Sequence, residues 1–217
     1  MDIIELSNCE PSVWLKNSHQ VLSKNVVPIE TRVDIFREIY YLILEMDLSV
    51  WIVGGTLLGA IREGAFIELD DDIDLAMFET NFCEVMFDLK DKLIGLGYVV
   101  RLTNGKNPKI SLYKEGFKTS IAALKVQGPW LTRPLRKYPL EIFQVDRFIE
   151  FYDVRCLIPN PPEAYLEHVY GKNWKTPIHS DNDDWLDYIS VRAFNFRNLT
   201  AYYLTFKIII KRLLNKL

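Results

Sequence analysis

The sequence predicts an α/β fold: a mixed sheet with flanking helices and a helical extension at the C-terminus. Stretches of helical period alternate with short apolar runs over the first hundred residues. Consecutive strand-like runs then follow with no helix between them, which argues against a doubly wound sheet. In the middle of the alternating part, Asp70, Asp71, Asp72 and Asp74 stand at the head of an apolar run, so polar chemistry sits on the lip of a core strand.

At 217 residues, 49% apolar and 13% aromatic, the chain can bury roughly 70% or more of its unfolded surface. The net charge is −3 with basic and acidic residues mixed, so nothing marks a nucleic-acid surface. Residues 1–29 form an N-terminal segment whose first fourteen residues are acidic and lack an apolar core long enough for a signal peptide. No apolar run reaches the length of a bilayer span. Cys9, Cys83 and Cys156 show no metal or redox spacing and read as reduced, buried thiols. These features predict a cytoplasmic chain.

In order, residues 30–48 place Val33, Phe36, Ile39, Tyr40, Ile43 and Leu44 on one helical face, with Asp34, Glu38 and Glu45 opposite. Trp51, Ile52 and Val53 form a buried strand that turns at Gly54 and Gly55. Residues 56–62 form a short helix capped by Thr56, with Leu57, Leu58 and Ile61 on one side. A strand follows the aspartates. Residues 80–96 form a second amphipathic helix, capped by Thr80 and ended by Gly95 and Gly97.

Strands are expected at 98–102, 109–113 and 120–126, divided by Asn104-Gly105 and Glu115-Gly116. Lys106 and Lys109 flank the first turn, where they could reach a phosphate or simply be solvated; solvation is the preferred reading. Another strand-like region starts at Tyr138 and runs to Phe151. Pro161 and Pro162 pre-set a helix buried through Tyr165, Leu166 and Val169 and stopped by Gly171, with Trp174 wedging the turn. His168 and His179 lack metal-site spacing. Residues 201–217 form a basic amphipathic helix, either docked on the protein's own core or peripheral to an anionic membrane.

The chemistry lies between Trp51 and Phe78. Side chains two apart on a strand face the same way, roughly 6 to 7 Å apart, so Asp72 and Asp74 share one face while Ile73 and Leu75 enter the core. Two anions at that distance repel by roughly 2 to 3 kcal/mol at an effective dielectric of 20. Clustered carboxylates therefore suit a hard cation such as magnesium, with manganese as the alternative. The Gly54-Gly55 loop before a helix offers backbone N–H groups for a phosphate. Plain alternatives exist, since double glycines are usually turns and acidic runs usually solvated loops. A calcium loop starting at Asp70 fails, because its sixth and twelfth positions would be Leu75 and Asn81 rather than Gly and Glu.

A Gly-Gly turn, a short helix and Asp-Ile-Asp on a strand resemble the nucleotidyltransferase signature, and GGTLLGAIREGAFIELDDDIDLAM resembles the LicD/fukutin family in particular. The matching positions are residues 54–60, Arg62, Phe66-Ile67 and residues 70–74. Glu68 and Leu69 replace the family's Pro-Trp. The resemblance extends over residues 30–177, helped by the second block at 158–177, and leaves 178–217 as an extension.

It implies a nucleotidyltransferase-like fold and a metal-dependent transfer of phosphocholine or a polyol phosphate from a CDP-linked donor to a glycan hydroxyl, whether free or lipid-linked. On that reading Asp72 and Asp74 bind the metal, and Gly54, Gly55, Thr56 and Arg62 hold donor phosphate. Asp70 and Asp71 are outer ligands or the base. A third carboxylate is expected on a later strand, where Ser120 stands instead; Asp146 or Asp153 could supply it. Two further readings remain, a non-catalytic nucleotide binder and a nucleotidyltransferase that releases pyrophosphate.

Overall fold

A computed structural model describes residues 27–103, 108–133 and 136–177. The architecture is a mixed sheet with helices packed on it, as the sequence predicts. The strands are β1 (Trp51–Ile52), β2 (Asp72–Phe78), β3 (Val99–Thr103), β4 (Lys109–Lys114), β5 (Phe117–Gln127), β6 (Trp130–Arg133), β7 (Arg136–Pro139), β8 (Arg147–Phe151) and β9 (Val154–Ile158). Their order is β3-β4-β5-β2-β1-β9-β8, and the β6–β7 hairpin continues from β5. β2 runs parallel to β5, and β1 runs parallel to β9; the other pairs are antiparallel.

Helix α1 (Ile29–Glu45) buries Val33, Phe36, Ile39, Tyr40 and Ile43 as its periodicity requires. Leu44, expected inside, is 47% exposed, and Ile35 and Leu42 are buried in its place. The buried stripe thus lies further round the helix than the sequence suggested. Tyr40 satisfies its buried hydroxyl twice, donating to the Val50 carbonyl and accepting the Leu157 N–H, both at 2.8 Å. It thereby ties α1 to β9 beside β1.

Helix α2 (Gly54–Arg62) begins two residues before the predicted start. Helix α3 (Glu79–Gly95) covers β2 and β5 through Phe82, Met86 and Leu89. Thr80 does not cap α3; its hydroxyl lies against Asn81. Helix α4 (Pro162–Tyr170) starts behind two prolines and ends at Gly171, whose φ of 87° suits glycine. Trp174 is buried beyond it, as expected of a wedge. Strands β6 and β9 were not foreseen, and β5 starts three residues before the expected Ser120. Cys156 is buried, but Cys83, expected to be buried too, is exposed on α3. Cys9, Asn104, Gly105, Lys106, His179 and the 201–217 helix lie outside the described residues.

Candidate active site

The site forms where β2 emerges under the start of α2. Strand β2 alternates as predicted: Ile73 and Leu75 are fully buried, while Asp72 and Asp74 are half-buried on the opposite face. Register fixes their neighbours. Asp72 stands beside Lys118 and then Tyr113, Asp74 beside Ser120 and then Ser111, and Ala76 beside Ala122 and then Lys109. Directly paired residues share a face, so three strands build one polar floor.

The double glycine has a steric cause. A methyl group on Gly54 would lie 2.0 Å from Asp74 Oδ2, and one on Gly55 would lie 2.2 Å from Asp70 Oδ2. Both carboxylates thus occupy space that any side chain would fill. Gly54 also has φ +57°, a left-handed conformation that glycine adopts without strain.

The loop's donors already have partners. The Gly55 N–H donates to Asp74 Oδ2 at 3.3 Å, and the Gly54 N–H to the Tyr165 hydroxyl at 3.1 Å. Thr56 is buried and does not cap α2; its Oγ1 accepts the Asp74 N–H at 2.8 Å. Gly55 and Thr56 therefore hold Asp74 in place, and Gly54 is tied to Tyr165. Arg62 closes α2, about 12 Å along the helix from Gly54, and its guanidinium binds Glu63.

Asp70 enters from the loop before β2, and a buried arginine that sequence reading passed over holds that loop. Arg32 donates to the carbonyls of Ile67 and Asp70 at 3.1 Å and of Glu68 at 3.2 Å. Its Nε is buried without a partner. A polar residue inside an otherwise apolar helical stripe was the available signal. Oxygens of Asp70, Asp71 and Asp72 lie within 4.8 Å of one another, close enough to share an ion. Asp74, expected to share the metal with Asp72, is not in that group; its carboxylate lies against Gly54 and accepts the Gly55 N–H. Neither Asp146 nor Asp153 belongs to that group; Asp153 pairs with Arg37 at 2.5 Å on the surface. Ser120 does sit at the neighbouring-strand position expected of a third carboxylate, with its Oγ 3.5 Å from Asp72 Oδ2.

Burial and the repulsion of Asp72, Asp74 and Asp71 push Asp70 up to about 7. Burial and Asp72 also raise Asp74, against the pull of Arg133 and Arg136. The donor set is all carboxylate oxygen, which fits a hard divalent cation. A pH dependence follows. Because the folded Asp70 titrates above its unfolded value of about 3.9, its protonated form contributes stability that is complete below that value and lost as pH rises through about 7. Without divalent metal, Tm should fall from pH 5 to pH 8 relative to Asp70→Asn. A magnesium-dependent rise in Tm should be larger at pH 8 than at pH 5, because metal needs the ionised carboxylate. Calorimetric scans at both pH values check it.

Four cations ring the acids. Lys118 Nζ lies 2.5 Å from Asp72 Oδ2. Lys109 belongs to β4 and is half-buried on the polar floor, which corrects its reading as a solvated turn residue. Burial lowers its pKa, and Lys118 and Arg133 act in the same direction. Arg133 and Arg136 are directly opposite across the β6–β7 hairpin, a like-charge pairing that disfavours the hairpin. The alternation Lys118-Ser120 was readable, but only once the strand was started at Phe117.

Residues 47–122 match the family model described as LicD/FKTN/FKRP, nucleotidyltransferase domain. This segment belongs to the LicD/FKTN/FKRP family. The match contains the Gly54-Gly55 turn, the aspartates, Lys109, Lys118 and Ser120. No curated protein matches the chain. Among solved structures, the antibiotic-resistance factor ANT(2'')-Ia in solution is similar at 14% identity and TM-score 0.48, covering 87% of this chain and 97% of that one. A crystal structure of ANT(2'')-Ia with adenylyl-2''-tobramycin is similar at 18% identity and TM-score 0.44, covering 84% and 90%. A Thermotoga maritima nucleotidyltransferase candidate is similar at 18% identity and TM-score 0.41, covering 61% and 80%.

Proposed function

We propose that the protein transfers a phospho-compound, phosphocholine or a polyol phosphate, from a CDP-linked donor to a glycan hydroxyl. The observation that carries this reading is the facing of two charge sets: Asp70 and Asp74 against the double glycine with Asp71 and Asp72 beside Asp70, and Lys109 and Lys118 of the family-matched segment together with Arg133 and Arg136 of the β6–β7 hairpin. A substrate that satisfies both must bring phosphate to the cations and share a divalent ion with the acids. Magnesium or manganese held by Asp72 and Asp74, with Asp70 and Asp71 beside them, would neutralise charge on the diphosphate.

The acceptor oxygen forms a bond to the phosphorus of the head group, and the P–O bond to CMP breaks. The proton of the acceptor hydroxyl passes to a carboxylate. Asp70, held at the site by its loop, suits that role by position. Gly55 and Thr56 bond to Asp74, and with Gly54 and Arg62 they remain in the donor-phosphate proposal. Lys109, Arg133 and Arg136 join it, because their charges act on Asp72 and Asp74. Lipid-linked glycans are included among the acceptors, with a cytoplasmic enzyme meeting them at the inner face of a membrane. Among the described residues no helix is long and apolar enough to cross one.

Lys109→Ala should raise KM for the donor by roughly tenfold with a smaller loss in kcat, as expected for a contact made in both ground and transition states. Unchanged donor KM in Lys109→Ala and Arg133→Ala would remove these residues from the phosphate site. Product identification tests the reaction itself. With CDP-choline, CDP-ribitol or CDP-glycerol and an acceptor glycan, the expected product is CMP. Pyrophosphate from a nucleoside triphosphate would identify the nucleotidyl-transfer alternative. Nucleotide binding without either product would identify a non-catalytic binder, the reading that Ser120 in place of an acid favours.

A further inference from the structure

We propose that Lys118 is the resident cation of this site, so that the chain takes a single divalent ion, whose arrival displaces the Lys118 ammonium from Asp72. The inference rests on the reading of the aspartates as metal ligands. It starts from register. Lys118 and Asp72 are direct neighbours on the parallel strands β5 and β2, and Nζ lies 2.5 Å from Oδ2. The two side chains are 26% and 16% exposed, so this pair is more sheltered than a surface ion pair.

A carboxylate that bridges two ions about 3.5 to 4 Å apart offers one oxygen to each. Asp72 is central enough to be that carboxylate, but one of its oxygens already carries Lys118, with the Ser120 hydroxyl 3.5 Å from the same atom. The adjacent position on β5, beside Asp74, carries neutral Ser120. An acid there would add the anionic ligand a second ion needs, and Lys118 supplies a positive charge two residues away on the same face. Charge and ligand count change together, and both changes favour one ion.

Manganese titrations of the full chain by calorimetry and by electron paramagnetic resonance test this. Wild type should bind one Mn²⁺. Lys118→Met should bind it roughly tenfold more tightly, Lys118→Gln should do the same, and Lys118→Arg, which keeps the charge, should resemble wild type. Lys118→Met combined with Ser120→Asp should admit a second ion, seen as spin-coupled manganese. Circular dichroism confirms that each variant is folded. Two ions in wild type, or unchanged affinity in both neutral variants, would overturn the proposal while leaving the metal site intact. Wild-type affinity in Asp74→Asn would instead count against the ligand assignment, and no binding by wild type or either neutral variant would sink both.

Discussion

Asp74→Asn and Asp72→Asn should each lower turnover by roughly 10³-fold or more, about 4 kcal/mol of transition-state stabilisation, while the protein stays folded. Each carboxylate lies on the polar face of β2 and contributes nothing to the apolar core on the other face. In Asp74 the amide can still accept the Gly55 N–H that Oδ2 accepts now. Burial and Asp72 disfavour the charged form of Asp74, so its replacement removes a repulsion. Metal-free Tm of Asp74→Asn should therefore hold or rise by a few degrees, whereas Asp72→Asn also gives up the Lys118 ion pair and should gain less. Opposite signs for activity and stability mark a functional charge cluster rather than a structural one. Turnover near wild type in either purified variant would remove that residue from the ligand set.

Gly54→Ala should be strongly destabilising. The added Cβ would meet Asp74 at Oδ2, Cγ and Cβ, at 2.0, 2.7 and 2.9 Å, and would have to adopt φ +57°. Left-handed backbone costs an L residue roughly 1 to 2 kcal/mol, and overpacking typically adds 1 to 3. A loss of about 2 to 5 kcal/mol should lower Tm by roughly 5 to 15 °C and turn Asp74 out of the site. The clash can be isolated from the backbone strain. In an Asp74→Ala background two of the three contacts vanish, so the cost of Gly54→Ala should shrink by more than about 1 kcal/mol in a double-mutant cycle. Equal costs in both backgrounds would show that the methyl group meets something other than Asp74.

The part of the fold legible in the sequence was the part written in local period. Alternation around Ile73 and Leu75 placed Asp72 and Asp74 on one face, and two prolines and a glycine bounded α4. What local period does not contain is which strands become neighbours. Lys118 reaches Asp72 across 46 positions of sequence, and Lys109 joins the polar floor because β4 folds back on β5. Arg32 is similar: in α1 it looks like one polar residue among apolar ones, yet it closes the loop that carries Asp70. Helix starts also escaped local reading. Thr56 and Thr80 have the chemistry of caps, but α2 opens on the two glycines and α3 on the last residue of β2. In α2 the threonine hydroxyl is used to hold the Asp74 backbone. The double glycine also has a steric reason that local sequence does not contain. Its absent side chains make room for Asp74 and Asp70.

On the proposed function, Asp72 and Asp74 hold a divalent ion with Asp70 and Asp71 beside them. The most direct measurement is anomalous scattering from crystals of the protein soaked in manganese. A peak bounded by carboxylate oxygens of Asp72 and Asp74, at about 2.2 Å from each and absent in Asp74→Asn crystals, is the predicted result. Manganese bound elsewhere, or a well-ordered site with no peak at all and Lys118 still on Asp72, would contradict it.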